Sequence, residues 1–483
     1  MILGLPLIFF PSSLLIQGGL VVDGLGGEGR IASVRVKNHM IVEVGNLTPL
    51  LQESVIDATG MVVSPGFIDA HSHAAGGILK EPSALSQLTQ GITTAVVGQD
   101  GGWDQPLEKE AAEIGAVKPS LNFAFFSGHG GIRRQVMGSD YKRVARDEEI
   151  DRMSGLVDAD MKWGAVGMSS GLEYDPGYYS TTSELMRLAK AIAPYKGVYI
   201  SHVRDEADSA FTAFSELVEI GKGSRVTSQI SHIKLGSSSV WNRADDALRM
   251  IDKYKIYADV YPYLYWQSTI AALVPSRDWE DKKIWVKGLA DVGGPHNVRL
   301  TKYTPDRSWE GYNLEALGKK LGRDPISIIQ EILRKTTDGE ASQSVVVTAM
   351  QESDLVKFIR HPRVMFCSDG SIGGSHPRGA GSFPRVLGRY VREMKVLSLG
   401  EAIRKMTSLP ATVFGLKGRG VLRPQAIADI CIFNANTITD RATPDAPKTF
   451  SVGVRDVMVN GEWVLRDGRV TTATPGQMVK RGR

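Results

Sequence analysis

Residues 66–76 read GFIDAHSHAAG, an apolar run that ends in two histidines, His71 and His73. In a β-strand, residues i and i+2 point to the same side, so both imidazoles would reach one point in space. Two neutral imidazoles that converge in this way form half of a metal site. The alternative is a chance pair of histidines in a surface loop, and the rest of the chain has to decide between the two.

The pattern around this stretch predicts a barrel. Strand-like runs such as TTAVVGQ, NFAFFSG, GVYISH, VTSQISH and RVMFCS alternate with helical segments such as TSELMRLAKAIAPY across residues 61–418. This alternation predicts a parallel sheet, and a closed (β/α)8 TIM barrel is the form that we expect it to take. Residues 270–340 interrupt the alternation and are predicted to be an insertion on the barrel.

Both ends of the chain show a different sequence pattern, without the alternation of strands and helices. Residues 14–60 and 419–475 contain short β-rich runs, and the segment VRDVMVNGEWVLRDGRV carries two hairpin signals, NG and DG. We therefore predict that the two ends supply the two halves of one small β-sandwich, with the barrel domain between them.

The bulk properties restrict the class of protein. The 483 residues exceed what a single core usually holds, and the 42% hydrophobic and 23% charged content is ordinary for a globular protein. A net charge of +4 without a run of Lys or Arg predicts no nucleic-acid partner. The two cysteines, Cys367 and Cys431, form no metal or redox motif, and isolated thiols favour a cytoplasmic protein.

The apolar N-terminal stretch MILGLPLIFFPSSLLIQGG does not change this prediction. Pro6 and Pro11 interrupt it, and it lacks the basic leader of a signal peptide. It is also too short to span a bilayer, so we expect no membrane association.

Polar residues recur where predicted strands end, which is where the chemistry of such barrels lies. Asp100 follows TTAVVGQ, His129 follows NFAFFSG, His202 and His232 end GVYISH and VTSQISH, and Asp369 follows RVMFCS. A lone histidine on an apolar run is more often a core residue, but several at the same end of successive strands indicate a metal site.

Hydrolytic zinc sites combine imidazoles and carboxylates and leave one position open for water. The bound water then ionises near pH 7 and becomes a nucleophile. A carboxylate beside it can take its proton and return it to the leaving group. Asp369 is the candidate for this general base.

Ten motifs in order identify the chain as similar to a known family. They are PGFIDAHSH, GITTAVVGQDGG, GHGGIRRQVMG, GAVGMSSGLEYDPG, SHVRDE, QISHIKLG, DVYPY, SDG…HPRGAGSFPRVL, MTSLPATVFGL and RGVLRP…ADICIFN, within residues 14–470. The chain resembles the N-acyl-D-amino-acid deacylase (D-aminoacylase) family of the amidohydrolase superfamily. The resemblance implies a (β/α)8 barrel with a small β-sandwich built from both termini, and zinc-dependent hydrolysis of N-acyl-D-amino acids.

The resemblance also assigns roles to single residues. The metal-binding histidines of the family correspond to His71, His73, His202 and His232, and its catalytic aspartate corresponds to Asp369.

Lys234, Tyr261 and Arg378 resemble the residues that hold the substrate carboxylate, and charge-assisted hydrogen bonds would suit them to that task. The alternative is that Lys234 and Arg378 are solvated charges on the surface and that Tyr261 is a packing residue of the core.

One position departs from the family. Where the familiar enzymes carry a cysteine ligand in an Asn-Cys-Gly turn, this chain has Gln99-Asp100-Gly101. A carboxylate can bind zinc and can bridge two metals, so we expect Asp100 to be a ligand of one or two zinc ions. The alternative is that Asp100 caps the following turn, a common role for Asp before Gly. A milder departure is Gln425, which stands where the family usually has Gly.

Three functions remain open at this point. A zinc-dependent deacylase that acts on a small-molecule N-acyl amino acid is favoured. Another amidohydrolase acting on a cyclic amide or an isopeptide is the second, and a metal-free, non-catalytic relative is the third. The four histidines and Asp369 are all retained, which argues against the third.

Overall fold

The computed structural model describes residues 13–102, 106–274, 279–336 and 341–482. The strands within these residues are β1 (Leu14–Val21), β2 (Arg30–Lys37), β3 (Met40–Gly45), β4 (Ser54–Asp57), β5 (Val62–Pro65), β6 (Phe67–Asp69), β7 (Ile92–Val97), β8 (Asn122–Gly128), β9 (Gly167–Gly171), β10 (Val198–His202), β11 (Thr227–Ile230), β12 (Tyr257–Val260), β13 (Tyr265–Ser268), β14 (Val298–Tyr303), β15 (Gln343–Thr348), β16 (Val364–Phe366), β17 (Ile430–Phe433), β18 (Val454–Val459), β19 (Glu462–Arg466) and β20 (Arg469–Val470).

The α-helices are α1 (Ala74–Ile78), α2 (Leu85–Leu88), α3 (Leu107–Ala116), α4 (His129–Met137), α5 (Asp147–Trp163), α6 (Thr182–Ile192), α7 (Ala210–Ser224), α8 (Ala244–Tyr254), α9 (Lys282–Asp291), α10 (Leu314–Leu321), α11 (Pro325–Thr336), α12 (Glu352–Arg360), α13 (Arg378–Arg385), α14 (Leu399–Met406) and α15 (Ser408–Phe414). Within the described ranges, no helix is both long and apolar enough to cross a membrane.

Eight parallel strands form the barrel, in the order β6-β7-β8-β9-β10-β11-β12-β16. Their residues are buried on both faces, as in β7 (ITTAVV) and β8 (NFAFFSG), because helices cover the outside and side chains fill the inside. The strands follow one another in chain order, as expected of a (β/α)8 barrel. The predicted fold class is confirmed.

The outer helices are amphipathic, and α6 shows why the sequence forms one. The Thr181 side chain accepts a hydrogen bond from the backbone N–H of Glu184 at 3.2 Å and so caps the helix start. Leu185, Leu188 and Ile192 then recur at helical spacing and are buried against the barrel.

The outermost strands of this order, β6 and β16, meet at a seam that is closed just beyond the strand ends. The backbone N–H of Ser368 donates to Asp69 Oδ1 at 2.7 Å, and the Ser368 hydroxyl donates to the other oxygen of the same carboxylate. The Asp369 N–H donates to the His71 carbonyl at 2.8 Å, and the His73 N–H donates to the Gly370 carbonyl at 3.0 Å. The seam therefore places Asp369 directly beside the histidine pair.

Strands from both ends of the chain form a second sheet, in the order β20-β19-β18-β17-β5-β1-β2-β3, with β4 paired to β1. Strand β17 pairs with β5 in antiparallel register, with Ile430 opposite Pro65. Val34, Ile432 and Met458 lie in the core of this domain. The domain boundaries given above remain predictions.

A third sheet, β13-β15-β14, lies with α9 to α11 between β12 and β16. This segment has a hydrophobic core of its own that includes Trp285, Leu300, Ile329 and Val345. We call residues 265–349 the insertion. It contacts the barrel loops through bonds such as that from Trp241 Nε1 to the Ala349 carbonyl, at 2.9 Å.

Candidate metal centre

The predicted metal and catalytic residues meet at the C-terminal ends of the barrel strands. We call these six residues the metal cluster: His71, His73, Asp100, His202, His232 and Asp369. Parallel strands bring their carboxyl ends to one edge, which explains why residues so distant in sequence converge.

Four members of the metal cluster surround a first point. His71 Nε2 lies 3.5 Å from Asp100 Oδ1 and 3.5 Å from Asp369 Oδ1. His73 Nε2 lies 3.3 Å from Asp100 Oδ2 and 3.2 Å from Asp369 Oδ1. Donor atoms about 2.0–2.2 Å from a tetrahedral zinc ion stand about 3.4 Å apart, so these distances suit one divalent cation.

A second point lies between Asp100, His202 and His232. His202 Nδ1 and His232 Nε2 are 3.0 Å apart, and His232 Nε2 is 3.8 Å from Asp100 Oδ1. Asp100 faces both points, so its carboxylate is placed where it could bridge two cations.

Two donor atoms show that these residues fit a metal. His71 Nε2 and Asp100 Oδ1 are buried and have no hydrogen-bond partner. A buried polar atom without a partner costs about 1–3 kcal/mol. A divalent cation between the two atoms would satisfy both, and imidazole with carboxylate is a ligand set that zinc accepts.

The Asp100 backbone is held in an unusual conformation, with φ at 55°. The Gly101 N–H donates to Ser169 Oγ at 3.1 Å, and that hydroxyl donates to the Gly98 carbonyl. A Cβ on Gly171 would lie 2.4 Å from the Asp100 carbonyl oxygen, so only glycine fits there. These contacts aim the Asp100 carboxylate at the histidines.

Two carboxylates that the sequence analysis did not single out contact metal-cluster histidines through the ring nitrogens that face away from the second point. Glu173 Oε2 lies 2.7 Å from His202 Nε2, and Glu206 Oε1 lies 3.1 Å from His232 Nδ1. Such partners orient an imidazole and make it a better ligand. Glu206 stands four residues after His202 in SHVRDE, a spacing that could have indicated it; Glu173 lies in LEYDPG, without a comparable signal.

His129 does not join the metal cluster, although it too follows a strand. Its Nε2 lies 2.9 Å from Glu184 Oε1, and Arg133 donates to the other oxygen of this carboxylate. All three side chains are buried. His129 therefore belongs to a separate polar group.

Asp369 is paired with Arg378, whose Nη1 lies 2.5 Å from Asp369 Oδ2. Burial alone would raise the pKa of Asp369, but the Arg378 charge and the nearby histidines outweigh it and hold the pKa well below its usual range. Asp369 is therefore an ionised carboxylate, which is the form a general base needs.

Lys234 and Tyr261 lie beside Arg378. Lys234 Nζ stands 2.7 Å from both oxygens of Glu206, and the Arg378 guanidinium lies 4.9 Å from the centre of the Tyr261 ring. Burial raises the pKa of Tyr261 to about 12, so its hydroxyl stays protonated. The Tyr261 hydroxyl and Arg378 Nε are buried without a hydrogen-bond partner, so both have capacity for a ligand.

Known proteins are similar to this chain in sequence and in fold. The amidohydrolase family profile matches residues 54–269 and 310–465. Over 97% of its length the chain is 33% identical to an N-acyl-D-glutamate deacylase of Alcaligenes xylosoxydans xylosoxydans, of which it covers 96%.

Two solved structures share the whole fold. A crystal structure of D-aminoacylase, described as defining a novel subset of amidohydrolases, is 29% identical with a TM-score of 0.87, covering 98% of this chain and 100% of that one. N-acyl-D-glutamate deacylase from Bordetella bronchiseptica, solved with zinc and a phosphonate mimic of the tetrahedral intermediate, is 32% identical with a TM-score of 0.86, covering 97% and 99%. This chain therefore belongs to the amidohydrolase family, in the group that contains D-aminoacylase and the N-acyl-D-amino-acid deacylases.

Proposed function

We propose that this protein hydrolyses the amide bond of N-acyl-D-amino acids and releases a carboxylic acid and a D-amino acid. The observation that carries the proposal is the convergence of buried, unpaired histidine and aspartate donor atoms beside an ionised Asp369. The family and the deacylase relatives support it.

Five side chains hold the metal in this proposal: His71, His73, Asp100, His202 and His232. A bound zinc ion supplies the activation of water and the polarisation of the amide carbonyl. Asp100 in place of a thiolate makes the ligand set harder, and it faces both metal positions, so one or two ions can be held.

Asp369 moves the proton. Its Oδ2 accepts a hydrogen bond from Arg378, which fixes the orientation of the carboxylate. Its Oδ1 faces the histidine pair at the metal position. The carboxylate takes a proton from the attacking water as the new C–O bond forms. It gives that proton to the amide nitrogen as the C–N bond breaks, so the amine leaves neutral and Asp369 returns to its ionised form.

Arg378, Lys234 and Tyr261 hold the α-carboxylate of the substrate. The unpaired Arg378 Nε and the Tyr261 hydroxyl can each donate one hydrogen bond, and the Lys234 ammonium adds positive charge. Charge-assisted hydrogen bonds of this kind are the stronger ones in proteins. They fix the amide relative to Asp369.

The test is amine release from N-acetyl-D- and N-acetyl-L-amino acids by protein purified without chelator, with and without added zinc. We expect release from the D-series that disappears with a chelator and returns with zinc. No release from any D-substrate by zinc-loaded protein, or release from cyclic amides or isopeptides alone, would refute the proposal.

A further inference from the structure

His376 stands two residues before Arg378, and both nitrogens of its buried imidazole are engaged in hydrogen bonds. The backbone N–H of Arg378 donates to His376 Nδ1 at 2.9 Å. His376 Nε2 lies 2.9 Å from the Tyr265 carbonyl oxygen, which can only accept, so Nε2 carries the proton. Burial and the nearby Arg378 charge hold the pKa of His376 well below its usual range. The ring is therefore held neutral and in one tautomer.

The two hydrogen bonds of His376 join separate parts of the molecule. Arg378 is the first residue of α13, where a backbone N–H has no partner within the helix, and the imidazole supplies one. Tyr265 is the first residue of β13, which belongs to the insertion and pairs with β15. Gln267 of the same strand donates from its side chain to the Ser375 hydroxyl. The loop before α13 is thus fastened to the insertion at two neighbouring points.

The imidazole also packs against the ring on which the Arg378 guanidinium lies. The ring centres of His376 and Tyr261 are 6.1 Å apart in an edge-to-face arrangement. The guanidinium lies 4.9 Å from the centre of the same tyrosine ring, and it pairs with Asp369. His376 therefore contacts both the backbone of Arg378 and the aromatic ring that supports its side chain.

The chain contains the same three residues, His-Pro-Arg, at 361–363, and there the arrangement differs. The Arg363 N–H donates to His361 Nδ1 at 3.3 Å, so this bond is a local feature of the three residues. His361 Nε2 lies 3.3 Å from Asp252 Oδ1, on a side chain that is 61% exposed. The bond to Tyr265, and with it the link to the insertion, therefore distinguishes His376 from its sequence counterpart.

We propose that His376 is a positioning residue, which ties the first residue of α13 to the insertion and thereby sets where the Arg378 guanidinium stands. This inference rests on the proposed function, in which Arg378 holds the substrate α-carboxylate, and it deepens that function. Hydrogen bonds weaken steeply when their length or angle departs from the optimum, so a displaced guanidinium would bind the carboxylate poorly. The insertion, which also lines the cavity in front of the metal cluster, thus takes part in carboxylate binding through His376.

The test compares His376→Asn and His376→Leu with the zinc-loaded parent, on the N-acetyl-D-amino acid hydrolysed fastest and on its primary amide, as substrate or competitive inhibitor. An asparagine oxygen can accept from the N–H two residues on, so His376→Asn keeps the local turn but has no atom in the place of Nε2. His376→Leu removes both bonds. We expect KM for the acid to rise roughly ten- to hundredfold in both variants, the effect that a misplacement of about 1 Å can have, while binding of the amide changes far less.

His361→Asn is the matched control, because it makes the same change in the other His-Pro-Arg stretch, and its KM values should equal those of the parent. A parent-like KM for the acid in His376→Asn would overturn the inference, since the local turn alone would then be sufficient. Equal weakening of acid and amide, or the same rise of KM in His361→Asn, would overturn it as well.

Zinc content and melting temperature of each variant identify a loss of fold, and the milder His376→Asn decides the matter should His376→Leu unfold. All of these outcomes leave the proposed function standing, provided that the parent is active. No release of amine from any D-substrate by the zinc-loaded parent would refute the proposed function and the inference with it.

Discussion

Two buried polar groups lie at opposite ends of the barrel, and they differ in whether their atoms satisfy one another. At the N-terminal end of β8, a group that we call the Asp429 cluster consists of Asn122, Arg419, Asp429 and Asn460. Asp429 accepts from the Asn460 N–H at 2.8 Å and from Arg419, whose Nη2 donates to Asn460 Oδ1 at 2.8 Å. Asn460 Nδ2 donates to Asn122 Oδ1 at 2.7 Å.

At the opposite end, the metal cluster leaves His71 Nε2 and Asp100 Oδ1 without partners. A buried polar group whose members satisfy one another rigidifies a fold, whereas unpaired buried atoms indicate a missing ligand. The comparison teaches that burial of charge alone does not identify a functional site; unpaired donor atoms that converge with other possible metal ligands do.

The largest effect is expected from Asp369→Asn, which removes the proposed proton carrier but keeps the shape of the side chain. The rate should fall by roughly 10²–10⁴, the typical contribution of general acid–base catalysis. Bound zinc should stay near the parent value, since the five proposed metal ligands remain, whereas the melting temperature should fall because Arg378 loses its charged partner. Amine-release rates and metal analysis on the same preparation check this, and activity within about tenfold of the parent would show that another group is the base.

Asp429→Ala should affect stability and leave the chemistry unchanged. It leaves the Arg419 charge buried without its partner, which costs about 3–5 kcal/mol of the free energy of unfolding. Urea unfolding measures the loss, and kcat/KM of the folded fraction should equal that of the parent. A loss of turnover without a loss of stability would mean that the two ends of the barrel are not independent.

Arg378→Ala and Lys234→Ala should weaken binding of the substrate carboxylate. Each hydrogen bond to a charged group is worth about 1.5–3 kcal/mol, so KM for N-acyl amino acids should rise roughly ten- to hundredfold. The corresponding primary amides, which lack the charge, should be affected far less. Equal losses on acid and amide would assign these residues to the structure of the metal cluster.

The smallest effect is expected from Asp100→Cys, since zinc accepts thiolate at least as well as carboxylate. Asp100→Ala should lower metal content and activity together, and excess zinc should restore part of the activity. Zinc stoichiometry and rate measured on the Ala, Asn and Cys variants decide the role of this residue. Unchanged zinc and near-full activity in Asp100→Asn would favour a turn cap, because Asn caps such turns as well.

The sequence allowed the barrel and the location of the site to be predicted because both follow from local patterns. His202 and His232 end apolar strand runs, and the rule that chemistry lies at the carboxyl ends of barrel strands predicts that they meet. His129 obeys the same pattern but contacts Glu184, since the direction of its side chain depends on a helix far along the chain.

Other features of the site depend on how loops fold against one another, which the sequence pattern does not specify. The contact of Glu173 with His202 joins the loop after β9 to the end of β10. Insertion residues such as Trp266 and Leu273 line the cavity in front of the metal cluster, and the insertion's sheet β13-β15-β14 pairs strands out of sequence order. Gln425 stands where the family usually has Gly, and this substitution costs local conformational free energy. The reason is that its φ of 69° lies in the region that glycine adopts more easily.

The seam between β6 and β16 couples closure of the barrel to assembly of the site. The hydrogen bonds that close the seam are made by Asp69 and Ser368 and by the backbone of His71, His73 and Asp369, so the segments that carry the chemistry also fasten the barrel. A transient local opening at this point would separate Asp369, the proposed base, from the histidine pair and interrupt turnover without unfolding the rest. The amide protons of Ser368, Asp369 and His73 should therefore report, through their rate of exchange with deuterium, how much of the population is assembled for reaction.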